Sequence, residues 1–483
     1  MTPSWTDRIL GHPLIARFLA DGVTEADRGK IVRGTLNSFL IQAFSIALVF
    51  LSNIWLVRSS DPDQYGLYIH VFNWVSILAV FAMGGRDDLV LAQLPRYIGA
   101  GEHGRLRRLA GSSNGFVLLA AVGISAIFLI IISLVPVRTL SEHRDLFVLA
   151  SAAVYFSACL TLNQMILQAL NHVRLSQLVE KIGRPLLLLI GTFAVRLLVH
   201  WERLDSRQLI LTAAIVTGIC CSAVLSLLYW KGRKYETSSQ KEQTSQKEET
   251  SQKEETSQKE EASQKEETAE PLSGKALWFF LISLLNLLGT KITMLILPWF
   301  ATEASIGIFN ISYRFADLLI FPFFLMHTVL PQLFARHSST GIAYTQSLFS
   351  ESNRLMTLLS IPLLLLNILL GKFFLGWFGP QFVDGYMALL FISLAQFLFS
   401  FFGPANTILM MQDREKYSAG CLLVYVLTLS AASRWLIPIA GLTGGALAIL
   451  IGSLVYNVIL AVALWRLCGV RSPWLAFLLR SRG

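Results

Sequence analysis

Long apolar runs separated by short polar segments occupy most of the chain. Each run is about 20 residues long, which is the length of an α-helix that crosses the hydrocarbon core of a bilayer. Runs of this length are too long for barrel strands, and lipid requires every backbone group to bond within its own segment, so they predict helices. The chain contains twelve such runs, at residues 35–57, 66–92, 114–136, 146–169, 184–200, 209–230, 275–299, 304–335, 355–378, 386–411, 417–439 and 442–466.

Composition supports this interpretation. Hydrophobic residues make up 54% of the chain and charged residues only 15%. A soluble domain of 483 residues with these proportions would expose large apolar patches. The predicted fold class is therefore all-α, in a polytopic membrane protein. Charged residues run through the first 33 positions, so we expect the first apolar run to be a span and not a cleaved signal.

Lysine and arginine are concentrated on one side of the alternating topology. That side includes the segment before the first span, the segment after the second span, and the tail after the twelfth. Cytoplasmic loops of membrane proteins carry an excess of these residues, so this side is predicted to be cytosolic. Both termini are therefore expected in the cytosol.

A charged repeat divides the chain almost in half. Residues 239–268 comprise five copies of a six-residue unit close to SQKEET, with five Lys, nine Glu and no apolar residue larger than Ala. A six-residue period does not match the 3.6-residue period of a helix, so no apolar stripe forms. We predict a disordered charged linker over 235–274. It joins an amino-terminal six-helix lobe with its cytosolic segment, residues 1–234, to a carboxy-terminal six-helix lobe, residues 275–483.

The two halves also contain a weak internal repeat. The segment QYGLYIHVF follows the first span and SIGIFNISY follows the seventh, with Gly66 aligned to Gly307 and Phe72 to Tyr313. Two six-helix units that start on the same side of a membrane imply parallel repeats about an axis along the membrane normal. That arrangement predicts a cleft between the lobes.

Polar residues inside spans usually face a bundle interior or a wet cavity. In the eighth span, Glu303, Asn310, Arg314, Asp317 and Thr328 lie close to one line along the helix. Arg314 and Asp317 would each cost about 2.5–3.5 kcal/mol at the bilayer centre. One explanation is an i,i+3 ion pair that neutralises both charges and has no further role. The other is that Arg314 faces water and binds an anion, while Asp317 holds it in place until the anion arrives.

Further polar candidates lie in other spans. They are His70 and Asp88 in the second span, Arg86 near its cytosolic end, Arg196 in the fifth span, and Asn286 and Lys291 in the seventh. Each has a simpler interpretation as well: His70 as an interior histidine, Arg196 as a snorkelling side chain, and Arg86 and Asp88 as charges of a solvated turn. The inward set contains several cations and few carboxylates. Because guanidinium groups bind phosphate oxygens in a bidentate fork, a lumen lined by Arg314, Lys291, Arg196 and Arg86, with Asn286 and Asn310, suits an anion.

Enzymatic motifs are not evident in the sequence. It shows no phosphate-binding glycine loop, metal-ligand cluster or triad-like constellation, so no enzyme activity and no metal site are predicted. The five cysteines fall inside or beside the spans without paired spacing. We interpret them as packing residues.

Several segments resemble a known family. WLVRSSDPDQYGLYIHVFNWVSIL and LPRYIGAGEHGRLRRL resemble the amino-terminal pattern of the polysaccharide and O-antigen flippases, which belong to the multidrug, oligosaccharidyl-lipid and polysaccharide exporter superfamily. IGIFNISYRFADLL, GWFGPQFVDG, NTILMMQDREKYS and LIPIAGLTGGALAILIG resemble later segments of that family in the same order. The resemblance covers nearly the whole chain apart from the linker.

The resemblance implies two six-helix lobes in a V, alternating access across a bacterial cytoplasmic membrane, and undecaprenyl-diphosphate-linked oligosaccharide as cargo. It implies no cofactor beyond a proton or sodium gradient, for which Asp317, Asp88 and His70 are the titratable candidates. The implied partners are the lipid-linked saccharide, membrane lipids, and glycosyltransferases or a polymerase of the same pathway, with no nucleic acid.

Three other functions stay open. A multidrug antiporter on the same scaffold, coupled to a cation gradient, would favour a carboxylate-rich first lobe, whereas the first span contains no Asp or Glu. A membrane enzyme usually has a large outward loop, and every outward loop here is short. A non-transporting scaffold of a polysaccharide assembly complex is compatible with the same fold, since fold alone does not give function.

Overall fold

The computed structural model of the chain describes residues 42, 44–99, 102–134, 142–170, 172–200, 202–250, 272–323, 342–412 and 414–471. Within these ranges the backbone is almost entirely helical and contains no β-strand. Helices satisfy all backbone hydrogen bonds within one segment, which is what the interior of a bilayer requires. The predicted all-α fold class is confirmed.

The helices are numbered in chain order. Those of the first half are α1 (Phe44–Ser59), α2 (Pro62–Met83), α3 (Arg86–Gly99), α4 (His103–Leu134), α5 (Arg144–Ala169), α6 (Val173–Gln177), α7 (Arg184–Leu198) and α8 (Ser206–Thr250). A π-helical turn, Leu178–Gly183, joins α6 to α7.

Helices of the second half are interrupted by short 3₁₀ turns. They are α9 (Leu272–Ile296), α10 (Glu303–Ala316), α11 (Ile342–Gly376), α12 (Tyr386–Phe402), α13 (Ala405–Met411) and α14 (Glu415–Cys468). The 3₁₀ turns are Leu297–Trp299, Asp317–Ile320 and Pro380–Gly385. Pro298 explains the first of them, because proline lacks the amide hydrogen that a continuing α-helix would use.

Nine described helices are long and apolar enough to cross a membrane. One of them, α14, leaves helical geometry at Gly441 (φ 54°, ψ −126°), so it contains both of the spans predicted at 417–439 and 442–466. The shorter helices α1 and α7 lie at the predicted first and fifth spans. Counting the two arms of α14 separately, these helices account for all twelve predicted spans. The chain is a multi-pass membrane protein.

The predicted second span, residues 66–92, is too long. Helix α2 ends at Met83, and Gly84 and Gly85 follow with φ of 54° and 77°. Glycine tolerates such left-handed backbone and commonly ends a helix in this way. Asp88 therefore lies on the separate helix α3. The prediction that Asp88 and His70 share one helix is wrong.

Two compact units are present among the described residues, with boundaries after Gly66 in α2 and after Lys291 in α9. Unit 1 contains α1, the first turn of α2, the end of α9 and α10 to α14. Unit 2 contains the rest of α2, α3 to α8 and the earlier part of α9. The predicted lobe boundaries at 234 and 275 stay a prediction.

The core of unit 2 lies where α5 packs against α8. Cys159, Cys220 and Cys221 are buried there among Leu160, Leu167, Val216 and Val224. All five cysteines are buried and free. Those three are packing residues, as the sequence suggested.

Helix α8 continues through Thr250 and so includes the first two copies of the charged repeat in helical form. The predicted linker was expected to be disordered from residue 235. Residues 251–271 lie outside the described part of the chain. For these residues the linker stays a prediction.

Candidate functional site

The charged pair of the eighth span lies at an interruption of a membrane helix. Helix α10 ends at Ala316, and the 3₁₀ turn Asp317–Ile320 follows it directly. We call residues 314–320 the helix break. A 3₁₀ turn replaces the regular helical hydrogen bonds and leaves carbonyls near the junction without their usual partners. Short 3₁₀ stretches inside a longer helix often mark functional positions.

Side chains of neighbouring helices bind the backbone at the helix break. Asn367 of α11 donates from Nδ2 to the Phe315 carbonyl at 3.2 Å and to Ser393 Oγ of α12 at 2.9 Å. Asn367 is 1% exposed, so no solvent competes for this contact. An unpaired carbonyl in a bilayer costs several kcal/mol. Asn367 and Ser393 thus make the interruption tolerable at membrane depth.

Phe315 fixes the rotation of the helix break. Its ring centroid lies 4.7 Å from that of Phe50, 5.6 Å from that of Phe374 and 5.8 Å from that of Phe378. Consecutive helical residues point about 100° apart, so Arg314 and Phe315 face different directions. With Phe315 held by Phe50 of α1, Phe374 of α11 and Phe378 just after α11, Arg314 is directed away from this cluster.

Asp317 is held by an amide and not by the arginine. Gln396 of α12 donates from Nε2 to Asp317 Oδ1 at 2.9 Å. Arg314 and Asp317 share no hydrogen bond or ion pair within the described part of the chain. The Arg314 guanidinium is half-buried, and its Nε is buried with no hydrogen-bond partner among the described residues. The positive charge is therefore not neutralised by the neighbouring carboxylate.

Asn310 lies one turn before Arg314 and belongs to a buried polar chain. Its Nδ2 donates to Tyr65 Oη at 3.0 Å, and Tyr65 Oη donates to Asn53 Oδ1 at 2.9 Å. Asn53 in turn donates to the Val49 carbonyl at 2.7 Å. The chain joins α1, α2 and α10 within unit 1. Asn310 was predicted to bind substrate. In the structure its amide links α10 to α2 through the hydroxyl of Tyr65.

Acidic residues of unit 2 lie at the start of α3. Ser283 of α9 donates to Asp88 Oδ2 at 3.2 Å. Burial raises the pKa of Asp88, and the hydrogen bond from Ser283 partly opposes this. Burial also raises the pKa of Asp87, and the negative charge of Asp88 adds to the effect. Both carboxylates therefore take up a proton more readily than exposed aspartates.

Arg86 begins α3 beside these carboxylates. Its guanidinium lies over the ring of Phe116 in α4, 4.1 Å from the centroid. A cation–π contact of this kind stabilises a partly buried guanidinium by about 0.5–2 kcal/mol. Within unit 2, Arg86 therefore has Phe116 as a cation–π partner.

The remaining predicted residues lie on three helices of unit 2, α2, α7 and α9. His70 is 1% exposed, and its ring stands edge-on to Phe147 at 6.1 Å. Arg196 is in the last turn of α7, and Lys291 is half-buried on α9. Asn286 is exposed on α9. The structure therefore places Asn310, Arg314 and Asp317 along one stretch of unit 1 formed by α10 and the 3₁₀ turn after it, without a hydrogen bond or ion pair among the three side chains, and it places Asp88 near Arg86 at the start of α3 in unit 2.

Further polar residues at the helix break were missed. Gln396 and Asn367 contact the break directly, and Tyr313 lies within interaction distance of Asp317 and Gln396. Asn367 and Gln396 are polar residues inside apolar helices, the same signal that identified Arg314. Thr328, which was assigned to the charged stripe, lies outside the described residues. Within the described ranges, no three His, Cys, Asp or Glu side chains come together as metal ligands.

Comparison with known proteins identifies the fold. The sequence matches no protein-family model and no curated protein. The structure is similar to that of the lipid II flippase MurJ in an inward closed conformation, with a TM-score of 0.64 and 13% identity over 88% of this chain and 86% of MurJ. It is also similar to a multidrug resistance MATE family transporter of the MOP superfamily in its inward-facing conformation, with a TM-score of 0.62 and 15% identity over 86% of this chain and 92% of the transporter.

An outward-facing conformation of a MATE family transporter of the same superfamily gives a TM-score of 0.60 and 14% identity, covering 89% of this chain and 93% of the transporter. At these identities the similarity shows the fold alone. The chain has the fold of MOP-superfamily transporters. The proteins that share this fold here are transporters and flippases, not enzymes.

Proposed function

We propose that the chain is a flippase that moves a polyprenyl-diphosphate-linked oligosaccharide from the cytosolic to the outer leaflet of a bacterial cytoplasmic membrane. One observation carries the proposal. Arg314 lies in a membrane helix with a buried Nε that has no partner among the described residues, while the carboxylate three positions away is bound to Gln396. A cation kept free of its nearest counter-ion is available to an anionic cargo.

The diphosphate of such a cargo fits this residue chemically. A guanidinium presents two parallel N–H groups to phosphate oxygens, and hydrogen bonds between charged groups are roughly twice as strong as neutral ones. The anionic head group would offset the cost of the arginine, about 2.5–3.5 kcal/mol at the bilayer centre. The polyprenyl tail stays in lipid while the head group crosses. No covalent bond is made or broken.

The similarity to the lipid II flippase MurJ supports a lipid-linked cargo. Saccharide biosynthesis then implies glycosyltransferases or a polymerase of the same pathway as partners. We assign Asp317, Asp88 and His70 as candidates for coupling to a proton or sodium gradient. The excess of Lys and Arg on one side of the membrane supports both termini in the cytosol.

A cation-coupled multidrug antiporter is the second candidate. It is favoured by Asp87 and Asp88, two carboxylates of unit 2 that lie beside each other, and by the similarity to MATE transporters. A lipophilic cation would bind to carboxylates, whereas a diphosphate would bind to Arg314. The two functions therefore depend on different residues.

Binding measurements separate the two candidates. The full chain in lipid nanodiscs should bind undecaprenyl diphosphate, and Arg314→Ala should weaken that binding roughly ten- to a hundredfold, since hydrogen bonds to charged groups contribute about 1.5–3 kcal/mol. Arg354→Ala, which removes an exposed arginine of α11, is the matched control and should leave binding unchanged. Binding of tetraphenylphosphonium that is lost in Asp88→Asn, with no binding of the diphosphate, would establish the antiporter instead.

A further inference from the structure

An apolar stripe runs along the exposed side of α11. Leu365, Leu369, Phe373 and Trp377 follow one another at intervals of four residues, so they lie on one face of the helix and of the turn that ends it. Their exposed fractions range from 44% for Trp377 to 76% for Leu369. The rings of Phe373 and Trp377 meet edge-on, with centroids 5.3 Å apart. A continuous exposed apolar surface of this kind marks contact with a membrane or a partner.

Arg58, in the last turn of α1, binds the backbone at the end of this stripe. Its Nε donates to the Trp377 carbonyl at 2.8 Å. Carbonyls at the end of a helix lack partners within the helix, and a basic side chain can supply one. The two terminal nitrogens of the guanidinium carry further N–H groups. Arg58 is exposed and forms no ion pair within the described part of the chain, so these groups are open to an anionic ligand.

Tryptophans indicate the depth of this end of unit 1 in the membrane. Trp377 is exposed here, and Trp299, which is also exposed, ends the 3₁₀ turn after α9. Asp63, soon after α1, accepts a hydrogen bond from the Ala304 amide at 3.0 Å, so the end of α1 and the start of α10 lie at one level. Exposed tryptophans are enriched where a membrane meets water, at the level of the lipid head groups. The same depth follows for Arg58.

We propose that Arg58 binds the phosphate of a phospholipid whose acyl chain lies along the apolar stripe of α11. Guanidinium N–H groups match phosphate oxygens in geometry and in charge. From Leu365 to the end of α11 at Gly376, the stripe extends about 16 Å along the helix, and one leaflet of hydrocarbon is about 15 Å thick. One acyl chain therefore fits the stripe. The site does not depend on the proposed transport function.

Fluorescence quenching by brominated lipid tests the site. The purified full chain in detergent micelles would be titrated with phosphatidylglycerol that is brominated on its acyl chains. The difference between chains with and without Trp377→Phe gives the part of the signal that comes from Trp377, and we expect that part to be quenched. Brominated diacylglycerol has the same chains but no phosphate, and roughly tenfold higher concentrations of it should be needed for the same quenching. This comparison of two lipids requires no variant of Arg58.

Variants of Arg58 test the role of its charge. Arg58→Gln keeps an N–H donor for the Trp377 carbonyl without the charge, and it should need roughly tenfold more phosphatidylglycerol for the same quenching. Arg58→Lys keeps the charge and should retain most of the affinity. Arg354→Gln removes an exposed arginine of α11 and is the matched control, with unchanged quenching.

Two results would overturn the proposal. Quenching of Trp377 that Arg58→Gln leaves unaltered would show that Arg58 only caps the end of α11. Equal quenching by brominated diacylglycerol and brominated phosphatidylglycerol would show that the stripe binds acyl chains without recognising a phosphate.

Discussion

Gly66 of α2 and Gly307 of α10 face each other in backbone contact. A Cβ on Gly307 would lie 2.9 Å from a ring carbon of Tyr65 and 3.4 Å from the Gly66 nitrogen. A Cβ on Gly66 would overlap the carbonyl group of Glu303. Asp63 adds to the same junction by accepting a hydrogen bond from the Ala304 amide at 3.0 Å. The two glycines that align in the internal repeat are therefore contact partners.

Gly66→Ala should destabilise the chain by about 1–3 kcal/mol, the usual cost of overpacking. The obstacle is the backbone of Glu303, which cannot rotate out of the way as a side chain can. Thermal unfolding in detergent measures the effect. Gly123→Ala is the control, because a Cβ at Gly123 meets no atom within 4 Å and alanine favours a helix. Equal unfolding midpoints for Gly66→Ala and the unmodified chain would show that α2 and α10 pack more loosely than described.

Tyr65→Phe should also destabilise the chain, because it leaves the amides of Asn310 and Asn53 without their shared hydroxyl partner. A buried polar group left unpaired costs about 1–3 kcal/mol. Tyr417→Phe, at a tyrosine that is 49% exposed, is the matched control. The comparison uses thermal unfolding of both variants. A loss of stability no greater than that of the control would show that this polar chain does not stabilise the fold.

Stability should depend on pH through Asp88. Burial raises the pKa of Asp88 above its ordinary value of 3.8. Between the ordinary pKa of Asp88 and its raised pKa in the folded chain, the folded chain binds more protons than the unfolded chain. The contribution of Asp88 to stability is therefore greatest at acid pH and falls as pH rises. Asp88→Asn does not titrate and should flatten the decline of the unfolding midpoint as the pH rises above about 4.

Asp384→Asn, at an exposed aspartate of the 3₁₀ turn Pro380–Gly385, should keep the full pH dependence. If Asp88→Asn and the unmodified chain show the same slope, the carboxylate of Asp88 is not the titrating group.

Gln396→Leu should impair transport although leucine is close to glutamine in size. Without the amide, Asp317 loses its hydrogen bond to Gln396 and can pair with Arg314 at the i,i+3 spacing, which would neutralise the arginine. We expect roughly a tenfold loss of transport, comparable to about 1.4 kcal/mol. In proteoliposomes without an imposed ion gradient, where coupling by Asp317 is not needed, adding Asp317→Asn should restore much of the rate, since the competing carboxylate is gone.

The rates for Gln396→Leu are measured as translocation of a fluorescent polyprenyl-diphosphate saccharide in proteoliposomes. Gln412→Leu, at an exposed glutamine, controls for the substitution itself. A double variant as slow as Gln396→Leu alone would mean that Gln396 acts in another way.

Much of the fold was predictable from the sequence because each span carries its own apolar signal. Boundaries were less predictable where backbone conformation decides them. The end of α2 depends on left-handed Gly84 and Gly85, and the two arms of α14 depend on the kink at Gly441. Hydropathy does not report either feature. In the charged repeat, low apolarity predicted disorder, whereas helix α8 continues through its first two copies to Thr250.

The candidate site was predictable only in part. Arg314 and Asp317 were found because charges are rare in spans. It was not foreseen that Arg314 and Asp317 form no ion pair with each other. Their i,i+3 spacing favours such a pair, and Gln396, which binds Asp317 instead, lies 79 positions away in the sequence. In the same way, Asn310 shared the stripe of Arg314, but its contact with Tyr65 depends on the packing of α2 against α10.

If Arg314 receives the anionic head group of the cargo, translocation depends on its guanidinium. Purified full-length chain in proteoliposomes would be compared with Arg314→Ala, Arg314→Lys and the control Arg354→Ala. We predict roughly a tenfold or greater loss of diphosphate head-group translocation for Arg314→Ala, partial activity for Arg314→Lys, which keeps the charge without the bidentate fork, and normal activity for Arg354→Ala. Normal translocation by a well-folded Arg314→Ala variant would show that Arg314 does not receive the head group.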